Sequence, residues 1–329
     1  MLEHGGALAA AVRAHDHPAA DWIDLSTGIN PHAYRPDPPP PEAWHRLPEH
    51  DAALHDAARR YYRSDALLAV AGSQAAIQAL PRVVPAQRVG IVQPSYAEHA
   101  HAWRDRTPHA LTEATIEAAV DTLEALILVH PNNPTGHTFS PAQLRDWHHR
   151  LARHGGTLIL DEAFIDPTPE HSLAAHTGAA GLIVLRSLGK FFGLAGARIG
   201  FVLAAPAMLA ALADTLGPWT VAGPSQHVAR QALEDQHWQA AMRTRLAAEG
   251  QRLHRLLSAH GATPRGTALF CWTPTPAARD WQRHLCEHAI LVRAFDTPPA
   301  LRFGLPADPA GWQRLDDALA AGRRAGLRL

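Results

Sequence analysis

Short, nearly continuous apolar runs recur through the first two thirds of the chain, separated by stretches with helical spacing. The runs Leu67–Val70, Val89–Val92, Ala125–Val129, Thr157–Leu160, Leu182–Leu185 and Ile199–Leu203 are dense in Val, Ile and Leu and do not alternate. Strands read this way when both faces of their sheet are covered. Between them, Ala52–Tyr62, Gln74–Leu80 and Pro141–His154 carry helical patterns. Ser140 and Pro141 supply an N-cap and a first-position proline, and Gly155-Gly156 supplies a stop. Alternating strand and helix predicts an α/β fold with a mostly parallel sheet. After residue 206 the pattern changes to Ala- and Arg-rich helical stretches, Pro206–Leu216 and Ser225–His260. Shorter strand-like pieces follow at Ala268–Thr273, Ile290–Ala294 and Leu301–Leu305. The expected organisation is an N-terminal segment over 1–40, a large domain over 41–205, and connecting helices with a small α+β domain over 206–329. The proline run from Pro36 to Pro41, broken only by Asp37, is a stiff extended connector.

Composition narrows the function classes. The net charge of −1 provides no bulk field for nucleic acid or an anionic membrane. No apolar stretch approaches the length of a membrane span, and the start has no signal-peptide pattern. Two cysteines, Cys271 and Cys286, make no disulfide framework, and a reduced, cytoplasmic setting is expected. No metal site is expected, because His148-His149 has no further ligands nearby.

One count changes the picture. Of 30 basic residues, a single one is lysine, Lys190. A guanidinium stays protonated at working pH, whereas a desolvated ε-amine loses its proton and forms Schiff bases. Chance survival in an arginine-rich composition is the plainer explanation, but the surroundings favour chemistry. Lys190 sits in Ser187-Leu188-Gly189-Lys190, with Arg198 eight residues on. A hydroxyl and a guanidinium bracketing an amine suit a cofactor that carries both an aldehyde and a phosphate.

Three further pieces fall on strand ends, where ligands sit in open α/β folds. Gly72-Ser73-Gln74 leads from a strand into a helix start, a place for a phosphate, although any βα turn looks similar. His130-Pro131-Asn132-Asn133-Pro134-Thr135-Gly136 holds Asn133 on a tight path or is an ordinary turn. Asp161, in Asp161-Glu162-Ala163, is a carboxylate at a buried strand end. It pairs with a cation such as a protonated pyridine nitrogen, or it caps the next helix.

In this order, the four pieces resemble fold-type I pyridoxal 5′-phosphate (PLP) enzymes, in the aminotransferase class that includes histidinol-phosphate aminotransferase. The resemblance runs from about residue 20 to the C-terminus. It implies that Lys190 carries PLP as a Schiff base, that Asp161 pairs with the ring nitrogen, and that Asn133 contacts the ring 3′-oxygen. Gly72, Ser73, Gln74, Ser187 and Arg198 hold the phosphate by the same resemblance. Tyr96 looks like the ring-stacking aromatic, or else is a core tyrosine. Arg302 looks like the arginine that takes the substrate carboxylate. A homodimer is implied as well. Two departures stand out. Phe164 replaces a tyrosine that donates to the ring oxygen, and Leu47 replaces a tyrosine that reaches the partner subunit's cofactor, leaving Tyr61 or Tyr62 as substitutes.

The chain's opening is similar to that of L-threonine-O-3-phosphate decarboxylases of cobalamin biosynthesis. His4-Gly5-Gly6 and the segment from Asp24 through Gly28 to Asn30-Pro31 carry this second likeness. It implies a phosphorylated amino-acid substrate held by His4, Gly5, Gly28, Asn30, Asn133 and Arg293, with Arg302 fixing its orientation. The alternatives are a frayed terminus for His4 and a surface arginine for Arg293. The rival readings are a histidinol-phosphate aminotransferase and a non-catalytic regulator that keeps a PLP-binding fold.

Overall fold

The computed structural model describes residues 4–329. In chain order its strands are β1 (Ile23–Asp24), β2 (Leu67–Val70), β3 (Val89–Val92), β4 (His109–Leu111), β5 (Ala125–Val129), β6 (Thr157–Asp161), β7 (Leu182–Ser187), β8 (Gly200–Leu203), β9 (Arg265–Gly266), β10 (Phe270–Pro274), β11 (Ile290–Leu291), β12 (Arg293–Asp296) and β13 (Pro299–Gly304).

Seven of these form one sheet in the order β2-β8-β7-β6-β5-β3-β4. All its pairings are parallel except those of β8, which runs antiparallel to β2 and β7. Every residue of β3, β5, β6 and β8 is buried, which is why those runs do not alternate. The helix Ser73–Val83 packs Ile77 and Leu80 into a core shared with Val89, Ile127, Ile159, Ile183 and Val202. β4 did not stand out in the sequence. It is a three-residue edge strand with two exposed positions.

β9, β10, β12 and β13 form a second, antiparallel sheet in the order β12-β13-β10-β9, and β1 pairs with β11 in parallel. The expected single strand Ile290–Ala294 is thus divided: the chain leaves β11 and enters the other sheet one residue later. The expected helix over Ser225–His260 is likewise two helices, Gly223–Glu234 and Gln236–Ala259. Asp235 interrupts it, and its carboxylate accepts from the Trp238 N–H at 2.9 Å, capping the second helix.

Two compact units result. The larger holds Ala33–Asn133 and Thr138–Arg243 with the seven-stranded sheet. The other gathers the described residues up to His32, Pro134–His137 and Thr244–Leu329 with the two smaller sheets. Together they make an α/β architecture with a mostly parallel large sheet and a smaller α+β part.

Candidate active site

In the larger unit the expected residues collect along one edge of the sheet, where β2, β5, β6 and β7 end. Asp161 closes β6, with its backbone in register between Val129 and Leu185. It is 3% exposed. Its Oδ1 accepts from the Ala163 N–H at 3.1 Å, and its Oδ2 lies 2.9 Å from His99 Nε2. An ionised carboxylate accepts only, so His99 donates there. The His130 N–H donates to the Asp161 carbonyl at 2.8 Å, tying the start of the Asn133 turn to the same strand end. The Asn132 side chain donates to the Pro94 carbonyl at 2.9 Å and holds the turn from its other side.

Gly72 precedes the helix Ser73–Val83 with φ +74°, and no side chain caps that helix. A Cβ at Gly72 would lie 2.7 Å from Arg198 Nη2, so the guanidinium rests against bare backbone. Arg198 has φ +47°, a strained conformation for a residue other than glycine, and it donates to the Ala195 carbonyl at 3.3 Å. Gly200 pairs with both Val70 and Ser187, and a Cβ there would lie 2.9 Å from the Ser73 nitrogen. The uncapped helix end, Ser187 and Arg198 therefore belong to one corner. Uncapped N–H groups beside a guanidinium suit a phosphate.

Gln74 offers that corner its backbone alone. Its side chain accepts from Tyr96 Oη at 3.2 Å and donates to Glu98 at 2.7 Å. Burial pushes the Tyr96 phenol up to about 12, so Tyr96 stays a neutral ring and donor. Lys190 follows β7 in a turn and is half-buried, with Nζ 5.5 Å from the centroid of the Phe164 ring. Behind this edge, Arg186 of β7 is buried against Glu162, at 3.2 Å, and Asp166. Tyr61 donates to Asp166 at 2.9 Å, and the Arg186 guanidinium lies 4.6 Å over the Tyr62 ring. Both tyrosines offered as substitutes for the residue at Leu47 are thus engaged within their own chain.

A primary amine, a buried carboxylate that accepts from a protonated ring nitrogen, and an uncapped helix end with an arginine are the three groups that PLP requires for its aldehyde, ring nitrogen and phosphate. The residues present fit the cofactor.

In the smaller unit, Arg302 of β13 stands directly opposite Arg293 of β12. Arg302 is 6% exposed, and its Nη2 donates to the Ser26 carbonyl at 2.5 Å. Burial and the facing Arg293 pull its pKa down to about 10, against a raising effect of Asp24. Like charges directly opposite each other destabilise a strand pair, so the arrangement calls for an anion. The N-terminal segment closes on the same place. The Gly6 N–H donates to Ser26 Oγ at 2.7 Å, and a Cβ on Gly5 would lie 2.3 Å from the Ser26 carbonyl and 3.4 Å from Arg302 Nη2. His4 is exposed. Gly28 and Asn30 are buried, and Asn30 Oδ1 accepts from the His32 N–H at 2.9 Å. Sequence reasoning missed His99. Only its place three residues after Tyr96 marks it, and a histidine on a short helix is unremarkable by itself.

Comparison with known proteins shows the family and the fold. The profile of aminotransferase class I and II matches residues 20–315. Threonine-phosphate decarboxylase of Pseudomonas aeruginosa is 53% identical over 97% of both chains. That of a Sinorhizobium species is 41% identical over 97% of this chain and 98% of its own. The solved histidinol-phosphate aminotransferase of Sinorhizobium meliloti, in complex with pyridoxal-5′-phosphate, superposes with a TM-score of 0.80. It covers 99% of this chain and 96% of its own at 19% identity, a likeness of fold. The chain belongs to the aminotransferase class I and II family.

Proposed function

We propose that the protein is a PLP-dependent lyase that decarboxylates L-threonine O-3-phosphate to (R)-1-aminopropan-2-yl phosphate and carbon dioxide, a step of cobalamin biosynthesis. The observation that carries this reading is the likeness, over nearly the whole chain, to two threonine-phosphate decarboxylases. The facing pair Arg293 and Arg302 supports it, since a substrate with both a carboxylate and a phosphate brings enough negative charge for two guanidiniums. Transamination of histidinol phosphate is the weaker alternative. We further propose that the enzyme works as a cytoplasmic homodimer. Among the described residues no helix is long and apolar enough to cross a membrane.

Bound PLP supplies an electron sink for the pair released when a bond to Cα breaks. The chain's own groups do the rest. Lys190 Nζ is the amine that would hold the cofactor, and Lys190 or a water would supply the proton that Cα gains. Asp161 keeps a proton on the ring nitrogen, and His99, donating to Asp161, fixes that carboxylate's orientation. Gly72, Ser73 and Gln74 present backbone N–H groups to the cofactor phosphate, with Ser187 and Arg198 beside them. Tyr96 and Asn133 position the ring. Arg302 takes the substrate carboxylate, while Arg293 and the backbone around His4 and Gly5 take its phosphate, with Gly28 and Asn30 supporting them. Holding both anions fixes which bond at Cα is presented for cleavage, here the bond to the carboxylate, and a proton replaces the departing carbon dioxide.

The deciding experiment is product analysis with L-threonine O-3-phosphate and no oxo-acid acceptor. Carbon dioxide and the amine phosphate in equal amounts are expected. A keto product, or turnover only of histidinol phosphate with 2-oxoglutarate, would establish the aminotransferase instead.

A further inference from the structure

The small sheet places one residue from each of its four strands in a single register. Arg293 of β12 faces Arg302 of β13, Arg302 faces Trp272 of β10, and Trp272 faces Arg265 of β9. Facing residues of antiparallel strands share one side of a sheet, with Cβ atoms about 4.5–5.5 Å apart. Three guanidiniums and one indole therefore form a row.

Trp272 is 3% exposed, yet its Nε1–H has no hydrogen-bond partner among the described residues. A buried indole N–H ordinarily finds a partner, and leaving it unpaired is costly. The ring is also held in place: the Arg265 guanidinium lies 5.2 Å over it. Trp22 and Trp281 share the unpaired N–H, but their rings meet histidines, Trp22 beside His15 and His17 and Trp281 beside His284, and no arginine faces either in a strand pair. Trp272 alone among them stands between two arginines in register. The indole is the one neutral donor in this row. It adds a hydrogen bond to a bound anion without adding a fourth positive charge to a strip that already repels itself.

We propose that Trp272 is a specificity-determining residue whose Nε1–H donates to an anionic oxygen of the substrate beside Arg302, with Arg265 stacked on the ring to hold the donor in place. This rests on the decarboxylase reading above. The oxygen belongs to either the carboxylate or the phosphate, and the test separates them.

The test is calorimetric titration of borohydride-reduced holoenzyme, which keeps the cofactor in place and cannot turn over. L-Threonine O-3-phosphate and (R)-1-aminopropan-2-yl phosphate are the two ligands. Trp272→Phe is expected to weaken the first about tenfold or more, the loss of one hydrogen bond to a charged group, with the melting temperature and the cofactor spectrum preserved. Replacing the indole by benzothiophene, which has nearly the same shape without the N–H, should reproduce the loss. An equal loss with the amine phosphate assigns the contact to the phosphate, and no loss there assigns it to the carboxylate. Either result upholds the donor. Full affinity in the benzothiophene protein would overturn it, even if Trp272→Phe binds weakly, because shape alone would then explain the defect. If the wild-type protein bound neither compound, the substrate reading itself would fall and take this inference with it.

Discussion

Arg302→Met should disarm the anion site without harming the empty fold. Arg302 is charged at neutral pH whether the chain is folded or not, but burial and the facing Arg293 lower its pKa from the ordinary arginine value to about 10. A depressed cationic pKa means that the folded state holds the proton less tightly. The cost is therefore fully present below about pH 10 and fades only as pH climbs toward the unfolded value. A shift of that size corresponds to about 3 kcal/mol. Methionine removes the charge with similar length and gives up the hydrogen bond to the Ser26 carbonyl, worth about 1.5–3 kcal/mol. The two nearly offset. Scanning calorimetry without ligand should find the variant's midpoint unchanged or raised by up to about 3 °C. With borohydride-reduced wild type, L-threonine O-3-phosphate at about a hundred times its Kd should add about 2.7 kcal/mol of stability, and the variant should lose this gain. Destabilisation of the empty variant by more than about 2 kcal/mol would show that Arg302 is a structural ion. A retained ligand shift would show that the anion binds elsewhere.

Lys190→Arg should be as inactive as Lys190→Ala, and borohydride reduction followed by peptide mapping should find the pyridoxyl group on Lys190 alone; residual turnover in the arginine variant would refute an amine role. Asp161→Asn should slow the chemical step by several orders of magnitude while PLP still binds, and His99→Phe should slow it less, by roughly ten- to a hundredfold, since it acts through Asp161; single-turnover rates beside cofactor affinities check both. Gly5→Val should raise KM for L-threonine O-3-phosphate roughly tenfold or more with the cofactor spectrum intact, because a side chain there collides with the Ser26 carbonyl.

The large sheet was legible because its strands are buried on both faces and so keep an unbroken apolar signature. The residues proposed for chemistry at their ends could be singled out because Asp161, Asn133 and Lys190 sit in local patterns. What stayed hidden depends on partners distant in sequence. The His99–Asp161 pair spans 62 residues, and nothing on the short helix Ala97–Ala102 announces it. Arg293 and Arg302 could each be singled out, but their opposition, and that of Trp272, follows from strand register, which a single sequence leaves open. The helix break at Asp235 was obscured because the polar run Glu234-Asp235-Gln236 passes equally well for the outer face of a continuous helix. β4 was invisible because its edge position requires little apolar content.

The half-buried turn at Lys190 has a practical corollary for quantifying the enzyme. Apart from the α-amino group, the chain offers amine-directed reagents a single target, and arginine carries every other permanent side-chain cation. Isotopic reductive methylation is then a two-site titration in which one site is the amine proposed to anchor the cofactor. A mass spectrum of intact protein would read the occupied fraction molecule by molecule, as the share of chains that resist the second label.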